Sequence, residues 1–195
     1  MMCTKYVASF VLSLSSLFGC AFLQERKPID CNCDIVRGSD RKYEPAQYIR
    51  DDCFDSLVIE IDAMDGVKPI DEKELVFLES ILRHTIDKPK GITHVYNNDR
   101  IPHHKEVYSI DDLEELAEKY RNFLPKEKQL SLYVVYMNGR YKEDLAAGVA
   151  LNGGMFFVFR NAVKPALDKA IFMHEFGHEL GLVNNDTKQQ SKHED

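Results

Sequence analysis

Residues 171–195 read IFMHEFGHELGLVNNDTKQQSKHED. On a helix, positions four apart share a face, so His174 and His178 can offer two imidazole nitrogens to one metal ion. Glu175 sits about 100° round the helix from His174. From there its carboxylate can reach a metal-held water without being a ligand itself. That spacing is suited to zinc-dependent hydrolysis. Zinc lowers the pKa of its water to about 7, and a carboxylate beside it takes the proton as the water attacks a polarised carbonyl. The plain alternative is a surface helix that carries two His and a Glu by chance. The apolar residues Ala166, Leu167, Ala170, Ile171, Met173 and Phe176 argue instead for a buried helix, where His and Glu need partners.

The motif needs a scaffold to hold it. SLVIEID (56–62) is β-rich and flanked by Asp, which predicts a strand. PIDEKELVFLESILRHTI has Leu75, Leu78, Ile81, Leu82 and Ile86 near helical spacing, with Asp71 as N-cap and Glu74 three residues on. GITHVYN (91–97) predicts a second strand. Ser109 caps a helix with Leu113, Leu116, Ala117 and Tyr120 on one face. QLSLYVVYM (129–137) predicts a third strand, followed by an NGR turn. AAGVALNGGMFFVFRN reads as a hairpin around Asn152-Gly153-Gly154. Pro165 then opens the motif helix, which should end near Gly181. The order strand, helix, strand, helix, strand, hairpin, helix implies a single α/β (α+β) domain with a mostly parallel or mixed sheet.

The chain has 195 residues and a net charge of -7, which argues against nucleic acid as a partner. Its N-terminus pairs a short Lys-bearing segment with YVASFVLSLSSLF, an apolar run short for a membrane span but suited to a signal peptide. The run ends in Leu17-Phe18-Gly19-Cys20, which resembles the bacterial lipobox. That resemblance implies cleavage before Cys20 and a lipid anchor on its thiol. Residues 1–19 are then a lipoprotein signal peptide, 20–52 a polar tether, and 53–195 the folded domain. Export puts the remaining cysteines in an oxidising setting, where Cys53 could pair with Cys31 or Cys33.

HEFGHELGLVN resembles the metzincin-type extension of the zincin motif, in which Gly181 turns the chain so that a third ligand meets the first two. With the lipobox, the IPHH segment and the 146–159 hairpin, the chain is similar to bacterial lipoproteins described as membrane metalloproteases. The resemblance implies a zincin-like fold with an antiparallel edge strand above a metal cleft, binding an extended substrate by strand addition. Residues 146–151 are the candidate strand. It also implies Zn2+ as cofactor, a peptide or protein substrate, a monomer, and a membrane-anchored exported enzyme. Two departures stand out. Position 184, where a His or Asp ligand would stand, is Asn184, a weak zinc ligand. The Met-containing turn of such enzymes has no counterpart before Asp195. His193 becomes the expected third ligand, with Asn184, Asp186, Glu194 and Asp195 as alternatives. Glu175 would be the general base and Gly177 a packing residue. The rival reading is a degenerate zincin-fold lipoprotein that binds without turnover. His103 and His104 could form a second metal site, contact substrate, or stand in a solvated loop. His84 and His94 read as structural.

Overall fold

Leu57–Asp62, Leu130–Met137 and Met155–Phe159 are buried without interruption. Such continuous burial belongs to strands covered on both faces, as in a parallel sheet between helices. The computed structural model describes residues 43, 45–97, 100–143, 146–151, 153–162 and 164–183. Among them the strands are β1 (Ser56–Ala63), β2 (Gly91–Tyr96), β3 (Val107–Tyr108), β4 (Gln129–Met137), β5 (Arg140–Tyr141), β6 (Gly148–Leu151) and β7 (Met155–Phe159). The helices are α1 (Pro45–Ile49), α2 (Glu72–Thr85), α3 (Ile110–Tyr120) and α4 (Asp168–Glu179), with a 3-10 turn at Pro165–Leu167.

The main sheet runs β2-β1-β4-β7-β6. All its pairings are parallel except the last, in which β6 runs antiparallel to β7 and forms one edge. Alternation along β7 sends Phe157 and Phe159 to the side of Leu113, Leu116 and Ala117 of α3. Phe156 faces the other way and meets Phe172 of α4 edge-on, with centroids 5.1 Å apart. The sheet is therefore covered by α3 on one face and by α4 on the other, where α2 packs against α4. This is a mixed α/β arrangement with a mostly parallel sheet and an antiparallel edge strand.

The caps explain where two helices begin. The Asp71 carboxylate accepts from the Lys73 backbone N–H at 3.0 Å. At α3, Ser109 and Asp112 close a reciprocal capping box. Three features depart from the expectations. Ile81, expected on the inner face of α2, is 37% exposed. Residues 45–49, inside the stretch read as tether, form α1 and bury Tyr48 completely. Finally, α4 is one-sided rather than buried throughout. Ala166, Leu167 and Ala170 face solvent, while Phe172, Glu175 and Phe176 face inward. The 3-10 turn explains part of this, because residues before Asp168 do not follow the α-helical rotation.

The start of α4 is held by a buried charge pair. Arg160, just after β7, donates through Nη2 to Asp168 Oδ2 at 2.9 Å, through Nη1 to Oδ1, and through Nε to the Lys68 carbonyl at 2.8 Å. Its guanidinium also lies over the Tyr136 ring, 4.5 Å from the centroid. Asp168 is 3% exposed, so removing its partner leaves a carboxylate without compensation in the interior. Arg160→Met is expected to destabilise the domain by about 3 kcal/mol, measured by urea unfolding. Adding Asp168→Asn should recover part of that loss, because the orphaned charge is then gone.

Candidate metal centre

His174 and His178 lie one turn apart on α4. Their ring centroids are 5.0 Å apart and the rings stand at 89° to each other. His174 is exposed, whereas His178 is buried. Glu175, between them in sequence, is 4% exposed. Its side chain lies against the backbone of Gly148, the first residue of the edge strand. A Cβ built on Gly148 would come within 2.4 Å of Glu175 Oε1 and 2.7 Å of its Cγ. Only a glycine leaves room for the carboxylate there. Two imidazoles thus stand one turn apart on α4, and the carboxylate between them in sequence rests on an edge strand whose outer side carries no pairing among the described residues.

The helix ends at a glycine. Gly181 has φ +67°, the left-handed conformation that glycine adopts without a Cβ penalty. The Gly181 N–H donates to the His178 carbonyl at 3.1 Å, and the Leu182 N–H to the Gly177 carbonyl at 2.9 Å. These two bonds form a Schellman ending. Val183 folds back over Gly177, where a Cβ would sit 3.1 Å from Val183 Cγ2. The packing role expected for Gly177 is therefore seen in the turn after the helix.

The edge strand is held in place by its own turn. Arg121, following α3, donates to the Gly153 carbonyl at 2.9 Å, to Ser131 Oγ at 2.7 Å and to the Ser131 carbonyl at 3.2 Å. Gly154, with φ +72°, takes the Tyr48 hydroxyl directly over its Cα. Burial pushes the Tyr48 hydroxyl well above its ordinary pKa, and the Glu179 carboxylate beside it adds to the rise. Burial likewise pushes Glu179 up to about 7, while Tyr48 and Arg121 act in the opposite direction. Sequence spacing did not single out Gly148, Tyr48 or Arg121. Their roles come from contacts between distant segments, and the only local hint was the Asn-Gly-Gly turn.

The expected site residues divide into two sets. His174 and His178 stand side by side on α4, and Glu175 points to the edge strand. His193 lies outside the described residues, as do Asn184, Asp186, Glu194, Asp195 and the cysteines at 20, 31 and 33. Among the described residues, no group of three or more His, Cys, Asp or Glu is gathered around a common centre. The described donors are thus the two imidazoles. Their type and adjacency fit a zinc ion, which favours imidazole nitrogen. Cys53 is disulfide-bonded, as export would allow, and its partner is outside the described residues. Of the other histidines, His94 Nδ1 pairs with Glu79 Oε1 at 2.6 Å and His84 Nδ1 with the Ser80 carbonyl at 2.7 Å. His103 stands in an exposed loop, 3.4 Å from Glu106. Comparison with protein-family models, curated proteins and solved structures finds no match to this chain.

Proposed function

We propose that this protein is a zinc-dependent metallopeptidase with a zincin-like fold, exported and anchored to the membrane through Cys20. The observation that carries the proposal is the meeting of the Glu175 carboxylate with Gly148 of the edge strand, beside a neighbouring pair of imidazoles. His174 and His178 would hold the metal, with His193 as the third ligand. Bound zinc would supply a water acidified to about pKa 7 and a Lewis acid for the scissile carbonyl.

The chain's own residues do the rest. Glu175 takes a proton on its carboxylate and returns it to the leaving amine nitrogen. Burial at 4% exposure restricts that carboxylate to few orientations, which is what a positioned base needs. The outer edge of β6 offers backbone N–H and C=O groups to an extended peptide, so substrate would add as a further strand. The disulfide at Cys53 supports export, because such bonds persist in oxidising compartments. The described residues include no helix long and apolar enough to cross a membrane.

The test is direct. Residues 21–195 are purified, bound zinc is determined, and cleavage of unstructured peptides is followed. One zinc per chain together with cleavage that a chelator abolishes is the expected result. No zinc retained at micromolar supply would sink the enzyme reading and leave a surface binding lipoprotein. The anchor has its own test: Cys20→Ala should release the protein from membranes, and unchanged retention would refute it.

A further inference from the structure

The segment before β1 is fastened to the domain in a way its polar sequence does not suggest. Lys88 Nζ is buried and donates to the carbonyls of Gln47 at 2.9 Å, Phe54 at 2.7 Å and Arg50. The Asp87 N–H donates to the Ile49 carbonyl at 2.6 Å. Residues 45–54 thus form a strap with a fixed base.

The other end of the strap reaches the end of α4. A Cβ built on Gly181 would lie 2.8 Å from Pro45 Cγ, so Pro45 rests directly on the glycine that ends the helix. Tyr48 is fully buried, with its ring edge-on to Phe176 at 5.8 Å. Its hydroxyl sits over Gly154 and beside Glu179, the residue after His178. One side chain therefore touches both parts of the candidate centre, the motif helix and the turn of the edge-strand hairpin.

We infer that the strap is a positioning element of the metal centre, with Pro45 on Gly181 and Tyr48 on Phe176 and Glu179 fixing the end of α4 that carries His178. This rests on the metallopeptidase reading for its consequence, though not for its geometry. Neither residue touches metal or substrate. Pro45 acts through Gly181, and Tyr48 through Phe176 and Glu179. Outer groups that orient ligands are worth 10–100-fold in metal affinity.

The test uses the full-length chain and the variants Tyr48→Ala, Tyr48→Phe and Pro45→Gly. Amide hydrogen exchange is read at Gly181 and Leu182, whose N–H groups close the helix ending, and at β4 as reference. Zinc affinity is read by competition with a chelator, and the cobalt-substituted protein by its visible absorption. Tyr48→Ala should speed exchange at the turn at least about tenfold while β4 is unchanged, weaken zinc binding about tenfold, and alter the cobalt spectrum. Tyr48→Phe keeps the ring and should restore all three. Pro45→Gly should reproduce the pattern more weakly, which covers the case in which Tyr48→Ala does not fold. Exchange that rises equally in β4, or zinc affinity and spectrum that stay at wild-type values, would overturn the inference. If the wild type binds no zinc, the metallopeptidase reading fails; slow exchange at the turn that depends on Tyr48 would then still separate that failure from a failure of the strap.

Discussion

Glu175→Gln is expected to lower peptide cleavage by about 10²–10⁴-fold, the range that a positioned general base contributes. Zinc content should be unchanged, because the side chain is not among the proposed ligands. The replacement keeps the volume that fills the space against Gly148 and removes only the ability to take a proton. Glu175→Ala would be a poorer probe, since it also empties a buried site. The KM of the Gln variant should stay near that of the wild type, because the edge strand that aligns the peptide is untouched. The outcome to fear is a variant that cleaves normally with full zinc occupancy. In that event Glu175 has no part in proton transfer, and the arrangement on α4 needs another explanation. A variant that loses zinc as well would instead point to the carboxylate as a ligand or as the partner that orients one.

The main strands were legible because their physical signature is local. β4 has no charged or amide residue between Leu132 and Met137, so burial on both faces can be read straight from the letters. β1 was legible despite Glu60 and Asp62, which are both buried. Glu60 accepts from the backbone N–H groups of Asn122 and Phe123, and Asp62 Oδ2 accepts from the Tyr133 hydroxyl. Capping residues marked the starts of α2 and α3 for the same local reason. By contrast, β3 and β5 have two residues each, too few for any period. The strap escaped notice because its anchors are backbone carbonyls taken by the distant Lys88 and a few scattered buried side chains, Tyr48, Cys53 and Phe54, among polar neighbours. In α4 the hydrophobic pattern was misleading. The inward face carries Asp168, Glu175 and His178 beside Phe172 and Phe176, so a helix built around polar groups loses the apolar periodicity that orientation is read from. The motif residues were visible through their spacing alone. The strand against which Glu175 rests was visible as a hairpin, but its contact with the helix spans residues too far apart for spacing to report.

That contact makes the second large prediction. Gly148→Ala is expected to reduce cleavage about 10²-fold with little loss of stability. The backbone at Gly148 is not left-handed, so alanine meets no conformational strain there. The added methyl, however, would lie 2.4 Å from Oε1, 2.6 Å from Cδ and 2.7 Å from Cγ of Glu175. Three side-chain atoms under 3.0 Å cannot all remain, so the side chain must take another rotamer and carry its carboxylate away. A displacement of about 1 Å in a catalytic group costs on the order of 10²-fold in rate. The strand itself should survive, because β6 pairs with β7 through backbone bonds that a methyl on the α4 side does not touch. Val149→Ala serves as a control on the same strand, since Val149 packs towards the α3 side of the sheet. The measurements are kcat on a peptide and the thermal midpoint for both variants. A Gly148→Ala protein with wild-type kcat would mean that Glu175 works from a different position than the one it occupies against the edge strand. A variant that unfolds at a much lower temperature would mean that the methyl displaces the strand rather than the side chain. Loss of kcat at an unchanged midpoint is the result that ties the edge strand to the base, and through it the hairpin turn held by Arg121 and Tyr48 to the chemistry on α4.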